Sequence, residues 1–168
     1  VVAGTERFLQ NKPSQFNLIT LHNVFEHLPD PLASLRIFHT ALKKDGMFVI
    51  VVPNKNGLIN RCAYMLALMH IYRPLSTMFQ VKSASPHLFY YSPESMAHIL
   101  HLAGFTPMIT LGQPIIDIDN IDKRIAIEGK INFLIGLCIK AGLHMLYRAS
   151  VLFHMPDEIA VYASKTKS

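Results

Sequence analysis

The sequence predicts an α/β fold with parallel strands, on three observations. Phe16–Leu21 (FNLITL) and Met47–Val52 (MFVIVV) are short apolar runs of the kind that form buried strands. Between them lies a stretch with one apolar helical face, opened by Asp30-Pro31 and stopped by Gly46. Strand, helix and strand at this spacing make a βαβ unit, so the two strands are parallel and the crossover is right-handed.

The chain opens Val1-Val2-Ala3-Gly4, without methionine or a charged lead into an apolar stretch. It is not read as a signal peptide; it reads as a strand entered midway, and the expectation is a piece of a larger domain. Asn11–Gln15 is a polar lead-in to the first strand. In the helix, Asp30 is the N-cap and Pro31 the first helical residue. Leu32, Leu35, Phe38 and Leu42 form its apolar face, and Lys43 and Lys44 suit its negative end. Pro53-Asn54 ends the second strand. Gly57–Met69 reads as a largely apolar helix and Ser83–Tyr91 as a loop. Ser92-Pro93-Glu94 opens another helix, with a hydroxyl cap, a proline at the first position and an acid near the positive end. Met96, Ile99, Leu100 and Ala103 give it one face, and Gly104 closes it. Phe105–Leu111 and Glu158–Ala163 are the last strands, the latter after the Met155-Pro156-Asp157 turn. Lys123–His154 reads as one long helix or two shorter ones. Lys140, His144 and Arg148 interrupt it, which favours a buried or interface helix over a membrane span.

Apolar residues make up 51% of the 168 and charged residues 16%, which excludes disorder, a collagen-like repeat and a coiled coil. Cys62 and Cys138 are too few for a disulfide scaffold or a zinc site, and a reducing compartment is the simplest reading. The net charge is +5, from 16 Lys+Arg and 11 Asp+Glu. The basic residues are scattered and no basic run is interleaved with aromatics, so no nucleic-acid partner is expected.

Ligands of open α/β sheets bind beyond the carboxyl ends of the strands. Those ends are His22-Asn23 and Pro53-Asn54. Polar residues gather just there: His22, Asn23, Glu26 and His27, then Asn54, Lys55 and Asn56. A run that is apolar to its end and then polar reads as the floor of a site. Asn54–Gly57 is equally ordinary loop composition.

FNLITLHNVFEHLPDPLASLRIFHTALKKDGMFVIVVPN (16–54) resembles the fourth and fifth strand region of class I S-adenosylmethionine-dependent methyltransferases. The shared pattern is strand, Glu-His-Leu-x-Asp-Pro loop, helix, Lys-x-x-Gly, strand and Pro-Asn. PHLFYYSPESMAHILHLAGF resembles the approach to the sixth strand, and PDEIAVYASK the seventh. The nearest resemblance is to small-molecule methyltransferases of the ubiquinone O-methyltransferase type. It implies a Rossmann-like sheet, mostly parallel with an antiparallel last strand and lacking the first strands. Residues 1–168 would be the carboxyl-terminal part of a single domain, with a lid-like insert at 57–91 and a helical insert at 123–154.

The resemblance also implies roles. Val1–Leu9 is similar to the segment after the third strand, so Gly4, Thr5 and Glu6, with Leu21, His22 and Asn23, would face S-adenosylmethionine. The Gly-rich turn after the first strand, and the acid that takes the ribose hydroxyls, have no counterpart in these 168 residues. Methyl transfer to an acceptor often needs a base, and His22, His27 and His87 are candidates. His87, His27 and Glu26 are the expected catalytic residues, Asn54 and Tyr90 the expected substrate contacts. In ubiquinone-type relatives this loop can hold a divalent metal. Here His22 stands in place of an acidic ligand, and no metal is expected. The acceptor would be a small or lipid-linked molecule methylated at oxygen, in the cytoplasm, with peripheral membrane contact and a homodimer as further expectations. The rival reading is a non-catalytic α/β assembly module that kept the fold without the cofactor turn.

Overall fold

The computed structural model describes residues 6–113 and 133–166. The elements are α1 (Glu6–Gln10), β1 (Phe16–His22), a 3-10 turn (Phe25–His27), α2 (Pro31–Ala41), β2 (Leu42–Pro53), α3 (Leu58–Leu68) and α4 (Arg73–Met78). They are followed by α5 (Pro93–Leu102), β3 (Phe105–Gln113), α6 (Phe133–Leu152) and β4 (Glu158–Lys165).

The sheet order is β1-β2-β4-β3. β1 and β2 are parallel, in register from Leu18 opposite Met47 to His22 opposite Val51. β4 runs antiparallel to β2 and to β3. β1, β2 and β3 therefore point one way and β4 the other, as a class I methyltransferase sheet requires. The carboxyl ends of β1 and β2 meet the amino end of β4 at one edge. Asn23, Asn54 and Glu158 are gathered there by topology alone.

One face of the sheet packs on α2 and α5. Leu35, Phe38, Met96 and Leu100 meet Phe48, Ile50, Phe105 and Val161 in a single buried cluster. Phe48 is its centre, with ring centroids 5.8 Å from Phe38 and 4.8 Å from Phe105. Each such side chain contributes about 1.5–3 kcal/mol by leaving water.

The helix starts are those the caps predict. Asp30 accepts from the Ala33 N–H at 3.0 Å ahead of Pro31. Ser92 and Ser95 form a reciprocal capping box ahead of α5. The end of α2 differs from expectation. The helix stops at Ala41, and buried Leu42 is already extended (φ −74°, ψ 141°). Lys43, Lys44 and Asp45 are an exposed lead-in to β2 and do not cap a helix. Gly46 lies where a Cβ would sit 2.7 Å from the Leu42 side chain, so it serves that packing. Glu6–Gln10 is helical, and the strand read at Val1–Gly4 falls on residues outside the described ones. Val1–Thr5 and the 123–132 part of the predicted helix lie outside the described residues. α4 was not anticipated; Arg73-Pro74 begins it inside the 57–91 insert.

Candidate active site

β1 ends at His22, and Asn23 turns the chain with φ 51°, a left-handed conformation that asparagine tolerates. Its N–H reaches back to the Val51 carbonyl at 3.0 Å. Its side-chain amide donates to Glu158 at 2.9 Å, tying the end of β1 to the start of β4. The turn delivers Glu26 to the interior. Glu26 is fully buried, and neither carboxylate oxygen has a hydrogen-bond partner among the described residues. Burial raises its pKa above the ordinary carboxylate range.

The 86–89 loop is stitched over this turn. The Leu88 N–H donates to the Glu26 carbonyl at 2.8 Å, and His27 Nδ1 donates to the Pro86 carbonyl at 2.8 Å. His87 is thereby carried across from a position 60 residues away in sequence. His27 Nε2 and His87 Nε2 lie 3.8 Å and 3.9 Å from the same Glu26 oxygen. The two imidazoles meet edge to face at 4.7 Å. These separations are too long for direct hydrogen bonds. The three ligand atoms lie within 4.8 Å of one another, a donor set whose chemistry suits a transition ion better than magnesium. His22, exposed at the end of β1, stands outside that set.

The tautomer of His87 follows from its neighbours. Tyr90 Oη donates to the Met78 carbonyl at 3.0 Å, so it accepts from His87 Nδ1–H at 3.1 Å. His87 Nε2 then carries the lone pair and accepts from the Gln80 amide at 3.0 Å. Burial, with His27 alongside, lowers the His87 pKa and keeps the ring neutral at pH 7. Burial and the nearby Glu26 push the Tyr90 phenol up to about 12, so it stays a neutral acceptor for that N–H.

Beside His87 opens a cavity of about 220 Å³. Asn54 and Pro53 at the end of β2, Asn60 and Ile59 of α3, Met78 of α4, and Tyr90 line it. Asn54 is held by its N–H to Asp157 O (2.8 Å), its amide to Pro156 O (2.7 Å), Asn56 N–H to its Oδ1 (2.9 Å) and Gly57 N–H to its carbonyl (3.0 Å). Asp157 accepts from the Ile59 N–H at 2.8 Å, and burial raises its pKa. Asn60 Oδ1 is buried without a partner among the described residues.

His87, His27 and Glu26 thus form one cluster, and Asn54 and Tyr90 share the cavity with His87. Leu21 points into the core, so toward a cofactor it offers backbone alone. Gly4 and Thr5 lie outside the described residues, and Glu6 is placed by its backbone in α1. Sequence reasoning missed Gln80 and Asn60. Gln80 sits in the 57–91 insert read as a lid, and Asn60 is one polar residue in an apolar helix; that second oddity was the available signal.

The methyltransferase-domain family profile matches residues 3–109. No curated protein matches the chain. Among solved structures, the chain is similar to an S-adenosylmethionine-dependent methyltransferase from Mesorhizobium loti, at 14% identity and TM-score 0.55, over 96% of this chain and 67% of that one. It is similar to a SAM-dependent methyltransferase from Archaeoglobus fulgidus, at 19% identity and TM-score 0.50, over 98% and 66%. It is also similar to the 1,6-didemethyltoxoflavin-N1-methyltransferase of Burkholderia thailandensis, crystallised with bound 1,6-didemethyltoxoflavin and S-adenosylhomocysteine. There the identity is 14% and the TM-score 0.51, over 94% of this chain and 47% of that one. The chain spans about half to two thirds of the length of these structures. With the sheet order, the antiparallel β4 and the family match over more than half its length, the chain belongs to the methyltransferase-domain family.

Proposed function

We propose that this chain carries the acceptor side of an S-adenosylmethionine-dependent methyltransferase of the ubiquinone O-methyltransferase type, acting at oxygen of a small or lipid-linked molecule. The observation that supports this most is His87: a neutral imidazole with a fixed tautomer, on the wall of a cavity at the carboxyl edge of the sheet.

Bound S-adenosylmethionine supplies an electrophilic methyl group. The residues present fit one flank of it. Asn23 Oδ1 is buried without a partner among the described residues, at the end of β1, and is free to accept from a ligand. His22 is exposed beside it.

The other steps belong to this chain. Asn54 and Tyr90 bound the acceptor. His87 Nε2, once the Gln80 amide has turned away from it, takes the acceptor's hydroxyl proton as the oxygen becomes nucleophilic. Tyr90 holds Nδ1–H throughout. The imidazolium so formed lies 3.9 Å from the Glu26 carboxylate, whose oxygens have no hydrogen-bond partner among the described residues. His27, fixed by Pro86, keeps the loop seated. The two-cysteine composition supports a cytoplasmic setting.

The test is methyl transfer by the full-length enzyme from labelled S-adenosylmethionine to phenolic acceptors. His87→Ala should lower turnover about 10²–10⁴-fold, with cofactor affinity nearly unchanged. Unchanged turnover would remove His87 from the mechanism.

A further inference from the structure

One wall of the cavity beside His87 holds a polar atom that folding leaves bare. α3 is a largely apolar helix, yet it buries Asn60 to 1% exposure. Asparagine is a poor helix former, and an apolar side chain of similar volume would fill the same space. The amide is only partly used. Its Nδ2 donates to the Lys55 carbonyl at 2.8 Å; a carbonyl can only accept, so Oδ1 faces the other way. Oδ1 is buried and has no hydrogen-bond partner among the described residues. Its position is fixed from below. The Leu58 N–H donates to the Met155 carbonyl at 3.2 Å and the Ile59 N–H to the Asp157 carboxylate at 2.8 Å, which pins the first turn of α3 to the lead into β4. Asn60 lines the cavity with Asn54, Tyr90 and His87.

We propose that Asn60 is a specificity-determining residue, whose Oδ1 accepts from a second hydrogen-bond donor on the acceptor: a hydroxyl or amino group other than the one that is methylated. The inference rests on the reading of this cavity as the acceptor pocket. The neighbouring polar groups are already engaged. Asn54 Oδ1 takes the Asn56 N–H, and Tyr90 Oη lies between His87 and the Met78 carbonyl. The described lining holds no Lys or Arg that could turn to Asn60. The proton for Oδ1 therefore comes with the ligand. A ligand that lacks it leaves a buried acceptor bare, and a site built to hydrogen-bond a substrate group rejects the analogue without that group for this reason. The size of the cavity sets the rest. A cavity of about 150 Å³ holds benzene, so about 220 Å³ takes one ring with its substituents.

Equilibrium binding of small phenols to the full-length enzyme, without cofactor, tests this apart from catalysis. The probes are the benzenediols and the aminophenols, each set against the methylphenol of the same substitution pattern, because methyl matches hydroxyl and amino in size. In at least one pattern the donor-bearing ring should bind about tenfold to a hundredfold tighter than the methylphenol, and the tighter of hydroxyl and amino identifies the donor. Asn60→Leu should erase that ratio. Asn60→Asp, which keeps an oxygen acceptor at the same place, should retain it. Both variants lose the amide bond to Lys55, so a merely structural role would move them alike. If Asn60→Leu does not fold, the probe pairs on the parent and on Asn60→Asp decide. Equal binding within every pair, no binding of any probe, a ratio that survives Asn60→Leu, or equal loss in both variants overturns the assignment. Methyl transfer enters none of these readouts. An enzyme that discriminates in binding yet methylates no phenol overturns the proposed function and leaves the role of Asn60 standing.

Discussion

Glu26 concentrates the conflict between folding and chemistry in one side chain. A buried carboxylate whose oxygens have no hydrogen-bond partner among the described residues is costly, by about 1–3 kcal/mol for an unsatisfied buried group. Its pKa is raised in the folded state. Between the ordinary carboxylate value and the raised one, the folded chain binds more protons than the unfolded chain. Stability is therefore fully present below the ordinary value and is lost as pH rises through the folded pKa. Glu26→Gln should melt a few degrees higher than the parent near neutral pH and lose that share of the pH dependence. Paired melting curves at acidic and neutral pH measure the difference; a parent that gains stability over the variant as pH rises would refute it. The same substitution should slow methyl transfer, because Gln cannot neutralise the His87 imidazolium. A variant that is more stable and less active is the signature of a strained functional group. His87 adds a second pH effect. With its pKa lowered, kcat/KM should climb with pH through a value below that of ordinary imidazole and stay flat above it, and a rate still climbing well above that value would exclude His87 as the base.

At the scale of elements, signals local in sequence were legible and signals depending on distant packing were not. Asp30-Pro31 and Ser92-Pro93-Glu94 carry their caps within four residues, and α2 and α5 begin where these place them. Ser92→Ala removes the acceptor for the Ser95 N–H and should cost about 1 kcal/mol in denaturant unfolding; no loss would show that the box is not formed. The end of α2 was misread because Gly46 looks like a stop, while the actual stop is Leu42, drawn into the core as an extended residue. That decision belongs to tertiary burial. Gly57 is similar: as an N-cap it has no side-chain bond, yet a Cβ there would lie 2.8 Å from the Asp157 backbone. Gly57→Ala should push α3 off the 156–157 turn and destabilise the chain by about 1–3 kcal/mol; a neutral outcome would show that α3 shifts freely. Met65 and Met69, at the end of the stretch read as a largely apolar helix, are exposed, because the period that marks an apolar face does not say which way the face looks. In the candidate site, Glu26 and His27 were legible as a motif. Their meeting with His87 was legible only through resemblance, since the stitch between Glu26 and Leu88 is a backbone bond that no side-chain pattern announces.

For the whole molecule, the governing feature is the free edge at β1. Among the described residues β1 pairs with β2 alone, and β3, paired with β4 alone, is the opposite edge strand. Phe16–His22 carries no Lys, Arg, Asp or Glu, and Leu18 is 54% exposed on it. Uncharged edges of this kind are templates for pairing. β1 therefore invites a further strand from the same protein, from another copy, or from a displaced segment. The cofactor reading leads to the same place. Asn23 and His22 offer one flank at the end of β1, and these 168 residues hold neither a Gly-rich turn nor a ribose-binding acid on a neighbouring strand. Half of a site keeps well under half of its affinity, because the ligand's lost freedom is the same whichever contacts remain. The chain by itself should therefore bind S-adenosylhomocysteine only weakly, with Kd of the order of millimolar, about −4 kcal/mol. Isothermal titration measures this directly. Low-micromolar binding, about −8 kcal/mol, would mean that the cofactor is held by contacts away from β1. Sedimentation of the same sample reports on the edge: self-association that grows with concentration and disappears on Leu18→Lys identifies β1 as the pairing strand, whereas a monomer at all concentrations shows the edge already protected.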